Sequence, residues 1–274
     1  VVELIDAVGT HHLPVSGPAR IVSLVPSITE LLFHLGLADQ VVGRTGFCVH
    51  PVDAVDSVPR VGGTKTPDLD KVRALQPTHV VLNVDENPRA LASALADCVP
   101  HIVVTHPTAV EDNPGLYRLL GRLFNRGTEA EVLCTEFERV YARVARAARD
   151  WPRRRVLYLI WRDPYMTVSR ETYISRTLAL ARWQTVAHDP ANRYPTLTDL
   201  APALEDADLV IFASEPYPFK AKHLTTVREA HSLGGKQLVM MDAEMVSWYG
   251  SRAIPGLDYL GAFVPEVNSG ALPA

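Results

Sequence analysis

Cysteine is scarce, with only Cys48, Cys98 and Cys134 in 274 residues. The count is odd, no two lie close together and no C-x-x-C occurs, so free buried thiols are expected rather than a disulfide framework. Long apolar runs are missing too, and none approaches the ~18 residues that span a bilayer. There is no basic excess: 27 Lys and Arg against 31 Asp and Glu leave a formal net charge of −4. That balance offers nothing to nucleic acid or an anionic membrane. The chain starts without Met and without a signal-like apolar segment. This is expected of a mature or trimmed form and equally of a cytoplasmic protein. Catalytic signatures are absent as well: no G-x-S-x-G, no P-loop, no H-E-x-x-H and no G-x-G-x-x-G after a strand. Gly62-Gly63-Thr64-Lys65 has a loose phosphate-loop flavour, but its flanking order is wrong. The reading therefore tilts toward binding over turnover, with no catalytic residues and no catalytic cofactor.

What is present suits a globular chain. Hydrophobic residues make up 47% and charged residues 21%, enough apolar surface for a substantial core. The 21 prolines tend to fall at strand–loop junctions, which suggests ordered loops.

The longest helical pattern covers residues 127–151, GTEAEVLCTEFERVYARVARAARDW. Leu133, Phe137, Val140, Val144, Ala147 and Trp151 step by three or four and share one face. Thr128 with Glu131 reads as a capping box, and Pro152 forbids continuation. Such a helix spans roughly 35 Å and would set a fixed distance between two lobes.

On either side the chain alternates strand and helix. Before it, strands are expected over 20–25, 41–45, 79–83 and 101–105, after a small hairpin over 1–14. Ser27 and Glu30 form a second capping box. Helices are expected up to Leu37, from about Asp68 to Leu75, from Arg89, and around 116–124. After it the pattern restarts: RVLYLI resembles RIVSLV, and ADLVIFASEPYP resembles THVVLNVDENP in its apolar strand followed by an acid and a proline. QLVMMD stands where HIVVT stood. The expectation is an α/β fold with two parallel-sheet lobes over 1–126 and 152–274, joined by the helix over 127–151.

Ligands of open parallel sheets sit beyond the carboxyl ends of the strands. In the first half that rule selects Pro26-Ser27, the Phe47-Cys48-Val49-His50 loop, Gly63-Thr64-Lys65 and the loop over 83–87. In the second it selects Trp161, Arg162 and Tyr165, the Tyr217 loop, and 242–252 with Trp248, Tyr249 and Arg252. Aromatics with arginine suit a flat ligand, partly apolar and partly anionic. Cys48 and His50 stand two apart, but two ligands do not make a zinc site. One of them could still ligate a metal already chelated by an organic ring.

PSITELLFHLGLADQVVGRT followed by GGTKTPDLDKVRALQPTHVVLN resembles the periplasmic solute-binding proteins for vitamin B12 and iron–siderophore complexes, whose lobes are joined by a single backbone helix. The resemblance runs from about Arg20 to Val264 and is closest to the cobalamin-binding branch, through GFCVHP, GGTKTPDL and YLIWRDPYMTV. It implies two Rossmann-like lobes of the class III type, a hinge with little closure, and a shallow cleft for a large metal chelate. By position, the family's cleft contacts fall on Pro26, Ser27, Phe47, Gly63, Thr64, Lys65, residues 161–165, Trp248, Tyr249 and Arg252; His50 and Tyr217 join them as candidates. The family's importers also pair one surface acid per lobe with permease arginines. Asp70 matches the first, whereas Leu200 stands where the second is usually found and Asp199 lies one residue early. The resemblance thus implies the binding component of an ABC importer, monomeric and outside the cytoplasm, carrying a cobalamin-like corrinoid. The alternatives are an iron–siderophore or haem receptor, and a soluble corrinoid carrier or sensor without a permease.

Overall fold

The segments HVVLN and LVIFA are buried at every position. Each needs cover on both faces, which a parallel sheet between helix layers supplies. The computed structural model describes residues 4–186, 191–231 and 233–271. Val1–Pro107, Glu111–Phe137 and Tyr249–Arg252 make one unit, and Thr108–Val110, Glu138–Trp248 and Ala253–Ala274 the other. The start of the hairpin expected over 1–14 lies outside the described residues.

The first unit opens with an antiparallel ribbon of β1 (Leu4–Ile5) and β2 (His11–His12). Asp6 holds its turn: Oδ1 accepts from the Val8 and Thr10 amides, and Oδ2 accepts from the Val104 amide at 3.0 Å. The sheet comprises β3 (Ile21–Ser23), β4 (Val41–Arg44), β5 (His79–Asn83) and β6 (His101–Thr105), all parallel in the order β4-β3-β5-β6. Helices α1 (Pro26–His34), α2 (Val52–Val55), α3 (Leu69–Ala74), α4 (Arg89–Leu95) and α5 (Asn113–Leu123) link and follow these strands. Val22, Leu24, Val80 and Leu82 pack with Val72 of α3 and with Leu91 and Leu95 of α4. Each fully buried side chain of this kind contributes about 1.5–3 kcal/mol.

Helix α6 (Gly127–Ala147) tightens into a 3-10 turn over Ala148–Asp150. Its residues to Phe137 belong to the first unit and those from Glu138 to the second. The buried stripe is Ala130, Cys134, Phe137, Val140, Val144 and Ala148. Ala147 is exposed and Leu133 and Trp151 are only half-buried, because the buried stripe steps by three or four through Cys134 and Ala148 and these three fall beside it. In the first unit Tyr117 meets Phe137 edge-on at 6.3 Å. In the second, Val144 lies beside Gly261 and Arg143 pairs with Asp258.

Both expected capping boxes are corrected. Helix α1 begins on Pro26 with no side-chain cap, and Glu30 turns instead to Arg252. Glu131 likewise turns to Arg118, 2.9 Å away, and Thr128 lies inside the helix, whose bonding starts at the Arg126 carbonyl. A carboxylate with a guanidinium in reach gains a charge-assisted pair that a neutral cap cannot match.

The second unit is a six-stranded sheet. Its strands are β7 (Arg154–Trp161), β8 (Tyr165–Thr167), β9 (Trp183–Thr185), β10 (Thr196–Leu197), β11 (Leu209–Ala213) and β12 (Gln237–Met241). The order is β10-β8-β7-β11-β12, with β9 beside the amino half of β7. β7, β9, β11 and β12 are parallel, while β8 and β10 run antiparallel, an addition to the parallel sheet expected. The tight turn at Asp163, with φ 61°, folds β8 back on β7. Helices α7 (Tyr173–Leu180), α8 (Ala201–Asp206), α9 (Ala221–Ala230), α10 (Glu244–Ser247) and α11 (Ala253–Ser269) complete the unit. Alternation along β7 sends Val156, Tyr158 and Ile160 toward Leu178 of α7 and Leu260, Phe263 and Val264 of α11. Leu157 and Leu159 go the other way, toward Leu204 of α8 and Leu224 and Val227 of α9.

Candidate functional site

In the first unit the candidates gather at the carboxyl ends of β3, β4 and β5. Pro26 and Ser27 form the buried first turn of α1. Phe47 stands out on the loop after β4, 63% exposed. Its ring edge lies 3.7 Å from where a Cβ on Gly63 would be. The loop that carries Gly63, Thr64 and Lys65 is pinched at Gly62, whose φ of 108° excludes other residues and whose Cβ would meet the Asp68 amide at 3.0 Å. Asn87 ties these loops together: its amide donates to the carbonyls of Leu24 and Thr64, and its oxygen accepts from the Asn83 amide. Lys65 is exposed and His50 half-buried.

Cys48 does not suit the ligand role considered for it. Its thiol is fully buried and hydrogen-bonded with Thr29 and Thr45 at 3.1 and 3.2 Å. Burial pushes its pKa up, so the thiolate that a metal needs is disfavoured. Among the described residues no group of three or more His, Cys, Asp or Glu is arranged to hold a metal ion.

Tyr249 and Arg252 belong to this first unit, although they follow Trp248 of the second. Gly250, at φ 78°, lets the turn approach α1, since a Cβ there would meet the Ser27 carbonyl at 3.1 Å. Asn113 accepts from the Gly250 amide, Tyr117 donates to its carbonyl, and Ser251 meets His34 at 2.7 Å. Arg252 makes a two-pronged pair with Glu30 at 2.7 and 2.8 Å, both side chains buried. The Tyr249 hydroxyl donates to Glu86, and burial together with that carboxylate raises the phenol's pKa well above its ordinary value.

In the second unit two clusters share the loop after β11. Trp161 ends β7 with its indole 41% exposed and meets Tyr217 edge-on at 5.7 Å. Tyr217 in turn packs on Phe219 at 4.7 Å and His223 at 5.5 Å. Arg162 sits beside Tyr165, with Nε 3.6 Å from Asp163. Burial raises the Tyr165 pKa, and the Arg162 charge opposes part of that rise. Burial and the same Arg162 charge depress His223. Trp248 is different, only 8% exposed, its indole N–H donating to Glu215 at 2.7 Å. Ser247 donates to the same oxygen at 3.0 Å. Burial lifts the Glu215 pKa despite these two bonds.

The structure thus brings Phe47 and Gly63 together, and Trp161, Arg162, Tyr165 and Tyr217 together. It commits Trp248, Tyr249 and Arg252 to partners within their own units. Glu30, Glu86, Asn87 and Glu215 organise these loops; the last three lie in loops that the sequence selected, but none of the four was singled out as a site residue. The repeated acid-then-proline after each central strand is the signal that points to Glu86 and Glu215. Of the two surface acids, Asp70 is 91% exposed beside Arg73 on α3. Asp199 accepts from the Ala201 amide at the start of α8, and Leu200 is buried.

A family model described as periplasmic binding protein matches residues 21–233, well over half of the chain, and the chain belongs to that family. A vitamin B12-binding protein from Pectobacterium carotovorum subsp. carotovorum (strain PC1) is 22% identical over 183 residues, covering 66% of this chain and 66% of its own length. One from Yersinia pestis (strain Pestoides F) is 24% identical over 187 residues, covering 68% of this chain and 66% of that protein. The chain therefore spans about two thirds of the length of these curated relatives. Among solved structures, the periplasmic vitamin B12 binding protein BtuF of Vibrio cholerae superposes with a TM-score of 0.78 at 15% identity, covering 92% of this chain and 98% of that one. The periplasmic heme-binding protein RhuT from Roseiflexus sp. RS-1 in apo form gives 0.77 at 23% identity, covering 91% and 99%. At these identities the structures establish a shared fold.

Proposed function

We propose that this member of the periplasmic binding protein family binds a cobalamin-like corrinoid outside the cytoplasm and delivers it to an ABC importer, without turnover. The observation that carries the reading is the exposed Trp161 indole braced edge-on by Tyr217 beside Arg162 and Tyr165. A large flat chelate gains by covering such a ring, and a guanidinium at its edge meets amide, phosphate or carboxylate groups. On the first unit the same role falls to Phe47 over Gly63, with Lys65 at the rim. Pro26, Ser27, Thr64 and His50 line the neighbouring strand ends. Trp248, Tyr249 and Arg252 enter as residues that hold these loops rather than as ligand contacts. The curated relatives named for vitamin B12 support the corrinoid over other chelates.

Haem is the second reading, favoured by the pairing of Arg162 with Tyr165, a cation and a phenol side by side. Titration of the purified protein with cyanocobalamin and, separately, haemin, followed by absorbance and calorimetry, separates the two. Saturable binding of cyanocobalamin alone supports the corrinoid. Haemin alone transfers the site to haem, and no binding of either at tens of micromolar refutes the tetrapyrrole class. Delivery to a permease rests on Asp70 and Asp199. A carrier or sensor without a permease is the alternative, favoured by the buried Leu200 at the second acid's usual position.

A further inference from the structure

Three arginines in a row, Arg153, Arg154 and Arg155, lead into β7 directly after Pro152. β9 pairs alongside, with Arg154 opposite Trp183 and Arg155 opposite Gln184. That register brings a fourth arginine, Arg182, to the same sheet end, where its φ of 61° turns the chain from α7 into β9. The four surround a pocket of about 360 Å³, completed by Ala179, Trp183, Gln184 and Asp208.

The partners of these arginines decide the charge of the pocket. Asp208 is the one carboxylate in the lining, and Arg155 claims it: Oδ2 accepts from the Arg155 amide at 2.7 Å, and Oδ1 lies 3.9 Å from the guanidinium. Asp206 adds to the same arginine at 3.4 Å. Arg154 donates to the neutral Gln237 amide oxygen at 2.8 Å, and Arg182 to the Arg149 carbonyl at 2.6 Å. Both keep a full positive charge. Arg153 is exposed and makes no side-chain hydrogen bond or ion pair among the described residues. Three arginines of the lining, Arg153, Arg154 and Arg182, thus have no carboxylate partner among the described residues, in a chain whose net charge is −4. Like charges fixed together by chain connectivity and strand register raise the free energy of the pocket, and an anion relieves it.

We propose that this pocket binds a phosphate-bearing polyanion of the pyrophosphate class through Arg153, Arg154 and Arg182. Planar guanidinium groups bind phosphate oxygens in pairs, and three of them match an anion with at least two phosphate groups better than a single one. The pocket sits at the amino end of β7 and Trp161 at its carboxyl end, ~23 Å away at about 3.3 Å per residue. It is a separate site from the aromatic cluster and does not depend on the tetrapyrrole reading.

The whole chain is titrated by calorimetry with sodium pyrophosphate, orthophosphate and sodium chloride at matched ionic strength. The expected result is saturable pyrophosphate binding, about ten-fold tighter than orthophosphate and weakened by added salt. Arg153→Glu, on an exposed side chain, is expected to weaken it at least about ten-fold, whereas Arg139→Glu on the exposed face of α6 leaves it unchanged. An equal loss in both variants would reduce the effect to the overall field and overturn the site. A silent pyrophosphate titration overturns the proposal. Cyanocobalamin titration of Arg153→Glu, expected to match the parent chain, keeps this outcome distinct from that of the aromatic site.

Discussion

Arg252→Ala is expected to unfold the first unit far more readily than it weakens any ligand. The guanidinium meets both oxygens of Glu30, at 2.7 and 2.8 Å, with side-chain exposures of 9% and 8%. Truncation leaves the Glu30 carboxylate buried without its counter-charge. Breaking a buried pair in this way costs about 3–5 kcal/mol, because the surviving charge keeps its desolvation penalty and loses its compensation. For a chain of this size that lowers the melting temperature by on the order of 10 °C. Glu30→Leu combined with Arg252→Met removes both charges and is expected to recover most of the loss, since an apolar pair of similar volume is often neutral or better. Thermal and urea unfolding followed by circular dichroism reads both effects. Cyanocobalamin affinity is measured well below the lowered transition. The reasoning is refuted if Arg252→Ala stays within about 1 kcal/mol of the parent while corrinoid affinity collapses. That pattern would return the arginine to the ligand.

Trp161→Ala should weaken corrinoid binding at least about ten-fold while costing only ~1 kcal/mol of stability, because its ring keeps one braced edge and one open face; unchanged affinity would mean a misplaced site. Glu215 has a raised pKa from burial, so the folded state takes up its proton before the unfolded state does as pH falls. The stability difference between the parent and Glu215→Gln should therefore shift in favour of the parent as pH falls from neutral, and the opposite slope would show a carboxylate held ionised. His79 behaves in the reverse sense: burial and the stacked His101 lower its pKa to about 4. Stability from the neutral ring is complete above the ordinary value of 6.5 and is lost as pH falls toward 4. The loss amounts to at most ~3 kcal/mol, and urea titrations of His79→Leu should lack that slope. With a thiol reagent near pH 8, the native chain should react at the partly exposed Cys98 while Cys48 and Cys134 wait for unfolding; rapid native labelling of Cys48 would contradict its burial.

Strands over His79–Asn83 and His101–Thr105 were legible because a buried parallel strand is a continuous apolar run bounded by turns. β8, β9 and β10 were not, because two or three residues carry no period and β8 exists only through the turn at Asp163. The capping boxes failed for a different reason. Glu30 is spaced correctly for a cap, but its partner is 222 residues away in sequence, and no local rule reaches that far. The strand-end rule selected loops in both units without telling outward from inward side chains. Phe47 and Trp161 are open, while Trp248 and Tyr249 are closed, and an aromatic residue looks the same in either role.

Trp248 and Tyr249, adjacent in sequence, are closed by the same device in different units. The loop after β5 reads D-E-N-P, and its Glu86 accepts from the Tyr249 hydroxyl. The loop after β11 reads S-E-P-Y-P, and its Glu215 accepts from the Trp248 indole. Hydrogen bonds to a charged acceptor contribute about 1.5–3 kcal/mol each, enough to fix a loop that has no strand partner. What each acid fixes is the backbone that carries the next residue of interest: Asn87 follows Glu86, and Tyr217 lies two beyond Glu215. Asn87 gathers the Leu24 and Thr64 loops, and Tyr217 braces Trp161. On the function proposed above, the aromatic pair acts through the acids on the loops and not by offering its own faces. Substituting either acid by alanine should therefore disturb ligand affinity from a position that touches no ligand. Glutamine in its place, still an acceptor, should restore most of that affinity in the same titration, and failure of glutamine to rescue would mean that the charge itself is read by the ligand.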